Sequence, residues 1–265
     1  MAEAAELSFQ WDGPEDGPVL VLSHALGTSR AMWDPQVERL SSRLRLLRYD
    51  HRGHGASPVP PGPYRIEDLG RDFLRLLDRL QLARVAWCGL SLGGMVGLWL
   101  GANAPERIDR LILCCTAARM PRPEDFATRA GRVRKEGLEP LADQIIGRWF
   151  TPAFFAEHAD RVASIRALLT STDAEGYAST CDALAAMDLR DQLRQITAPT
   201  LMVAGAEDQS TPVAQAREIA QRVSGSRLVV LDHAAHLANV EQPDAFTQVI
   251  LTAIEEGSES IAGRP

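Results

Sequence analysis

The sequence predicts an α/β protein: a mostly parallel sheet with helices on both faces, broken once by a helical insertion. Three observations carry that prediction. Short continuous apolar runs alternate with stretches of helical periodicity, the pattern of a sheet covered on both faces. Between residues 118 and 196 the strands stop, and charged, helix-favouring segments follow one another. Finally, Gly89-Leu90-Ser91-Leu92-Gly93-Gly94 stands between an apolar run and an apolar helix. That is the strand–turn–helix setting in which a tight turn lifts a serine hydroxyl into the open.

Taken in order, Glu6 to Trp11 alternates as an edge strand should, and Asp12 to Gly17 turns the chain. Pro18 to Ser23 is a buried strand. It leads through His24-Ala25-Leu26-Gly27-Thr28-Ser29 to a helix carrying Met32, Trp33, Val37 and Leu40. Arg45 to Tyr49 is the next strand, and it ends in the turn Asp50 to Ser57, where His51 and His54 are expected to serve turn hydrogen bonding. From Ile66, the residues Leu69, Phe73, Leu76, Leu77 and Leu80 fall on one helical stripe. Arg84 to Cys88 is the strand before the serine, Met95 to Leu100 the helix behind it, and Arg110 to Cys115 the strand that follows. The insertion has helical stretches at Glu139 to Phe150 and Asp160 to Thr170. Alternation then resumes with a strand at Thr200 to Ala204, a helix at Pro212 to Val223, a strand at Arg227 to Leu231 and a helix from Pro243 to Glu255. The core is thus expected over 1–117 and 197–256, a helical cap over 118–196, and a disordered polar tail over 257–265.

Apolar residues make up 45% of the chain and charged residues 24%, enough for a sizeable core in a soluble protein. The net charge of −7 and the absence of a basic block argue against a nucleic-acid or anionic-membrane partner. Lys135 is the sole lysine, so Schiff-base chemistry is not expected. No run approaches the roughly 18 apolar residues of a bilayer span. The acidic start, Met1 to Glu6, does not read as a signal peptide. Cys88, Cys114, Cys115 and Cys181 form no Cys-x-x-Cys pair. The expectation is a cytoplasmic protein with reduced core thiols and neither metal site nor disulfide framework.

In a parallel sheet, function gathers beyond the carboxyl ends of the strands. Those positions hold His24 to Gly27, Asp50 to Gly55, Ser91, Asp208 and His236. A serine hydroxyl needs a base to take its proton as it attacks. His236 suits that task, and a carboxylate behind the ring would hold its tautomer. Asp208 follows a strand through Gly205-Ala206-Glu207 and is the favoured acid, with Glu207 and Asp232 as alternatives. His233 competes with His236. An oxyanion would need donors, expected from the backbone N–H groups of Leu92 and Leu26.

Several stretches resemble the α/β-hydrolase superfamily and, within it, the 3-oxoadipate enol-lactonases of aromatic-compound degradation. Besides the serine turn they are Asn103-Ala104-Pro105-Glu106-Arg107, Thr116-Ala117-Ala118-Arg119, Arg148-Trp149-Phe150-Thr151-Pro152, Gly176-Tyr177-Ala178 and Asp188-Leu189-Arg190. Near the end come Asp208-Gln209-Ser210-Thr211-Pro212 and His236-Leu237-Ala238-Asn239-Val240-Glu241-Gln242-Pro243. The resemblance implies a serine hydrolase of the β-ketoadipate pathway, opening a five-membered enol-lactone with an acidic side arm and using no cofactor or metal. The anionic arm calls for a cation in the cap. Arg129 is the first candidate and Arg148, beside Trp149, the second. Other esterases, lactonases and perhydrolases share this machinery, and a ligand receptor that kept the fold is the competing non-enzymatic reading.

Overall fold

Seven of the apolar runs become strands, and the strands form one sheet. They are β1 (Phe9–Asp12), β2 (Val19–Ser23), β3 (Arg45–Tyr49), β4 (Val85–Leu90), β5 (Ile108–Cys114), β6 (Thr200–Gly205) and β7 (Arg227–Leu231). The structure, a computed structural model, describes residues 4–262. Across the sheet the order is β1-β3-β2-β4-β5-β6-β7. β1 runs antiparallel to β3, and the remaining pairs are parallel. Leu20 and Leu22 of β2, Trp87 and Cys88 of β4 and Leu113 of β5 are wholly buried. Helices on both faces cause that burial, and it explains why these strands read as unbroken apolar runs.

After a 3₁₀ turn at Arg30–Trp33, α1 covers Asp34–Ser41. Pro35 in its first turn fits there because it has no N–H to leave unpaired. α2 (Ile66–Arg79) buries the stripe Ile66, Leu69, Phe73, Leu76 and Leu77. α3 (Leu92–Asn103) is apolar almost all round and buried accordingly. Between β5 and β6 lie α4 (Pro123–Glu136), α5 (Ala142–Ile146), α6 (Pro152–Glu157), α7 (Ala159–Ser171) and α8 (Ala174–Ala186). The two ends of this insertion meet at a narrow neck. There Arg119 and Asp188 form an isolated bridge, and Leu189 N–H donates to Ala118 O at 2.8 Å. α9 (Val213–Arg222), α10 (Ala238–Glu241) and α11 (Pro243–Ala262) complete the chain. Among the described residues no helix is long and apolar enough to cross a membrane.

Two expectations need correction. The helix-favouring stretch 139–150 is helical only in part: a 3₁₀ turn at Glu139–Leu141 is followed by the five residues of α5. Gly147 disfavours a longer run at the carboxyl end of α5. The polar tail does not begin at 257, because α11 continues to Ala262. One glycine costs a helix only about 1 kcal/mol, and no proline intervenes before Pro265. Residues 263–265 lie outside the described residues.

The topology fixes where a ligand can sit. From β2 the chain steps to β3 on one side, then crosses to β4 on the other. The loops leaving β2 and β4 therefore diverge from adjacent strand ends, with Ser23 paired to Gly89. That crevice is the switch point of the sheet, and the insertion roofs it.

Candidate active site

β4 ends at Leu90 and α3 begins at Leu92, so Ser91 alone must turn the chain. It does so at φ 54° and ψ −110°, a conformation that costs a non-glycine residue energy. Hydrogen bonds hold it there. Ser91 N–H donates to Cys114 O at 2.9 Å, and Ser91 O accepts from Met95 N–H at 2.9 Å and from the Thr116 hydroxyl at 2.8 Å. The flanking glycines are a steric necessity. A Cβ on Gly93 would stand 2.1 Å from Ser23 O, and one on Gly89 would stand 2.2 Å from Gly93 O.

The loop after β6 delivers Asp208, and the loop after β7 delivers His236. His236 Nδ1–H donates to Asp208 Oδ2 at 2.9 Å, and Ser91 Oγ lies 3.0 Å from His236 Nε2. All three side chains are nearly buried. Asp208 also accepts from Ser210 N–H at 2.7 Å, Thr211 N–H at 2.9 Å and the Thr211 hydroxyl at 2.7 Å. Burial alone would raise its pKa. His236, by charge and hydrogen bond, and Thr211 outweigh that effect and hold the carboxyl below its usual range. Glu207, Asp232 and His233, the alternatives at these positions, are exposed.

Sequence reasoning missed two residues that secure this arrangement. Thr211 braces Asp208, as described. Glu241, at the end of α10, accepts the N–H of Ala235 beside His236 and that of Thr151 in the insertion, the latter at 2.7 Å. On the other side of His236, Leu237 N–H donates to Trp149 O at 3.0 Å. The histidine loop is therefore tied to the cap. Both missed residues stood inside quoted stretches, but only their partners in space reveal what they do.

Ser91 and His236 form the floor of a cavity of about 200 Å³, together with Leu26 and Met95. Arg129, Arg148, Trp149 and Tyr177 contribute to its roof, so the candidate substrate-binding residues share one chamber with the serine. Arg129 is partly buried, and its guanidinium carbon lies 4.9 Å from the Phe126 ring centroid. Among the described residues no carboxylate stands within ion-pair distance of it. Arg148 is exposed and donates to Gln209 O at 3.2 Å. The hydroxyl of Tyr177 is buried beside Arg129 and Cys181 but makes no hydrogen bond of good geometry among the described residues. The N–H of Leu92 belongs to the first turn of α3, where a helix offers no acceptor. Neither it nor Leu26 N–H has a protein acceptor among the described residues.

Comparison with known proteins gives this geometry its relatives. The chain is 41% identical to 3-oxoadipate enol-lactonase 2 of Acinetobacter baylyi over 249 residues, covering 94% of this chain and 93% of that protein. The crystal structure of the enol-lactonase from Burkholderia xenovorans LB400 superposes with a TM-score of 0.93 at 44% identity, covering 96% of this chain and 98% of that one. A thermophilic esterase from Thermogutta terrifontis, solved with malate bound, gives 0.90 at 32% identity, covering 96% and 94%. The α/β-hydrolase fold model matches residues 18–243, and the chain belongs to that family.

Proposed function

We propose that the protein is a serine hydrolase that opens 3-oxoadipate enol-lactone to 3-oxoadipate. Ser91 is the nucleophile, His236 the general base and Asp208 its orienting carboxylate. The observation that carries the chemistry is the hydrogen-bonded line from Ser91 through His236 to Asp208 on the floor of the pocket. Support for the substrate comes from two relatives, both enol-lactonases, that align with more than nine-tenths of the chain.

Ser91 Oγ attacks the lactone carbonyl as His236 Nε2 takes its proton. The oxyanion accepts the N–H groups of Leu92 and Leu26. Asp208 stays ionised and stabilises the imidazolium. Collapse of the intermediate breaks the ring C–O bond, and the enolate so expelled regains the proton from His236 and tautomerises to the ketone. Water, deprotonated by His236, then attacks the acyl-serine, and the second carboxylate of the product is released. An anionic arm loses its hydration on entering the pocket and needs a charged partner. Arg129 is that partner, charged at any working pH and without a carboxylate at ion-pair distance among the described residues. Tyr177 stands beside Arg129 in the same chamber, and Arg148 lines the approach beside Trp149. The four cysteines are free and buried, which fits an enzyme working in the cytoplasm.

The test is loss of enol-lactone absorbance on addition of purified protein. The expected result is turnover at least about tenfold more efficient, in kcat/KM, than that of uncharged esters of similar size, the effect of one charged hydrogen bond. Faster turnover of uncharged esters would favour a second reading, a carboxylesterase, to which the likeness to the Thermogutta enzyme lends support.

A further inference from the structure

The turn that carries Leu26 is gripped from both sides by buried histidines, and we propose that His24 and His54 are positioning residues that aim the Leu26 N–H at the oxyanion. The inference rests on the serine-hydrolase reading above and adds to it two residues that neither react nor line the pocket.

Ala25 to Thr28 form a turn closed by Thr28 N–H donating to Ala25 O at 3.3 Å. Leu26 is its second residue and Gly27, at φ +71°, its third. Each peptide flanking Leu26 has its own restraint. Ahead of it, Ala25 O also accepts from His24 Nδ1–H at 2.8 Å and from the Thr28 hydroxyl at 2.8 Å. A peptide unit is planar and trans, so its C=O and N–H point in opposite directions. Holding Ala25 O therefore fixes the direction of Leu26 N–H, which belongs to the same plane. Behind Leu26, the central peptide of a turn is the one that flips between turn types, above all where glycine follows. Here Gly27 N–H donates to His54 Nε2 at 3.1 Å, which prevents the flip.

Both rings are in the one tautomer that serves this purpose. His24 Nε2 accepts His51 N–H at 3.0 Å, so its proton sits on Nδ1, facing Ala25 O. His54 Nε2 accepts from Gly27, so its proton also sits on Nδ1, where it donates to Arg52 O at 3.1 Å. The second of these is the turn hydrogen bond expected from the sequence; the first reaches across to another loop. Burial lowers the pKa of both rings, that of His54 to about 3, so they remain neutral where the enzyme works. The start of the turn is also linked to the serine turn, because His24 O accepts Gly93 N–H at 3.1 Å. Leu92 stands next to Gly93, so the two oxyanion donors share one framework.

The test uses His54→Phe, which deletes the acceptor, and His24→Leu, which deletes the donor. Loss of a whole oxyanion donor costs about 10²–10³ in kcat. A misaimed one should cost about 10- to 100-fold in kcat with KM unchanged within about twofold. His54→Gln sets an amide oxygen where Nε2 stood, and His24→Asn an amide N–H where Nδ1 stood. Both should recover to within about fivefold of wild type. A trifluoromethyl ketone, which adds Ser91 to form an oxyanion, should lose affinity in parallel with kcat, while a dicarboxylate product analogue should not. Wild-type kcat in both deleting variants overturns the proposal. So does an equal loss in the conservative variants, or an equal loss of dicarboxylate affinity, since either marks simple packing. If the deleting variants do not fold, Thr28→Val decides. It removes one grip on Ala25 O at constant shape, so kcat should fall about threefold to tenfold with KM steady, and an unchanged kcat overturns the proposal. Failure of the underlying reading looks different: Ser91→Ala would then remain active whatever the histidine variants do.

Discussion

On the floor of the pocket each group of the proposed triad stands at or just beyond the carboxyl end of a parallel strand, and Ser91 is held at a positive φ. In the roof, Arg129 and Tyr177, which face the same chamber, lie on the cap helices α4 and α8, and Arg148 and Trp149 on the turn after α5. Ser91 is held at φ 54° by three backbone-directed hydrogen bonds, and Asp208 receives three donors besides His236. By contrast, Arg129 faces an aromatic ring, and the exposed Arg148 reaches a backbone carbonyl. The roof joins the core through the neck at Arg119 and Asp188, with further ties such as Leu237 N–H to Trp149 O. The difference teaches that rate and selectivity are built separately here. Floor variants should change kcat, and roof variants should change KM for particular substrates.

The largest effect should come from the floor. Ser91→Ala is expected to lower kcat at least about 10⁴-fold while leaving the melting temperature nearly unchanged, because the hydroxyl reacts but packs little. Activity above about a hundredth of wild type would break the comparison at its root. Asp208→Asn should cost about 10²- to 10⁴-fold, since an amide cannot stabilise the imidazolium. Near-wild-type rates in that variant would move the acid elsewhere. The same residue makes a prediction about pH. Its folded pKa is lowered relative to the unfolded chain, so its contribution to stability is present above the ordinary carboxyl range and fades as pH falls through the folded value. Melting scans should show the wild-type advantage over Asp208→Asn shrinking below about pH 4.

The same division explains what the sequence made legible. The serine turn could be read because its requirements are local: an apolar run, a residue forced to φ 54° and glycines where a Cβ would strike backbone. Asp208 and His236 could be read from their places after strands. Glu241 could not be assigned a role, because it holds Thr151, ninety positions away. The link from His54 to Gly27 was hidden for the same reason, since it spans two loops that only the sheet order brings together. In the roof, the helix-favouring stretch 139–150 divides into a 3₁₀ turn and the five residues of α5, a division its helical composition did not reveal.

A smaller and more selective effect belongs to the roof. Arg129→Met should raise KM for the anionic lactone by about 10- to 100-fold, the roughly 1.5–3 kcal/mol of a hydrogen bond to a charged group. An uncharged ester should be hydrolysed as before by the same variant. Equal losses on both substrates would mean that Arg129 holds the roof together and does not read the carboxylate. An effect from Arg148→Met alone would move the anion to the outer side of the chamber, near Gln209.

The smallest effect is a gain, and it sets a glycine of the roof against one of the floor. Gly131 lies within α4, exposed, and a Cβ there would meet nothing within 4 Å. Alanine at such a site stabilises a helix by about 0.5–1 kcal/mol, because glycine has more backbone freedom to lose on folding. For a chain of this size Gly131→Ala should raise the melting temperature by about 1–2 °C, with kcat and KM unchanged. Gly93→Ala is the counterpart. Its Cβ would press on Ser23 O, so both stability and kcat should fall. The informative exception would be a Gly131→Ala protein that melts higher but turns over more slowly. That result would mean α4 bends during turnover, so that the roof limits the rate as well as the choice of substrate.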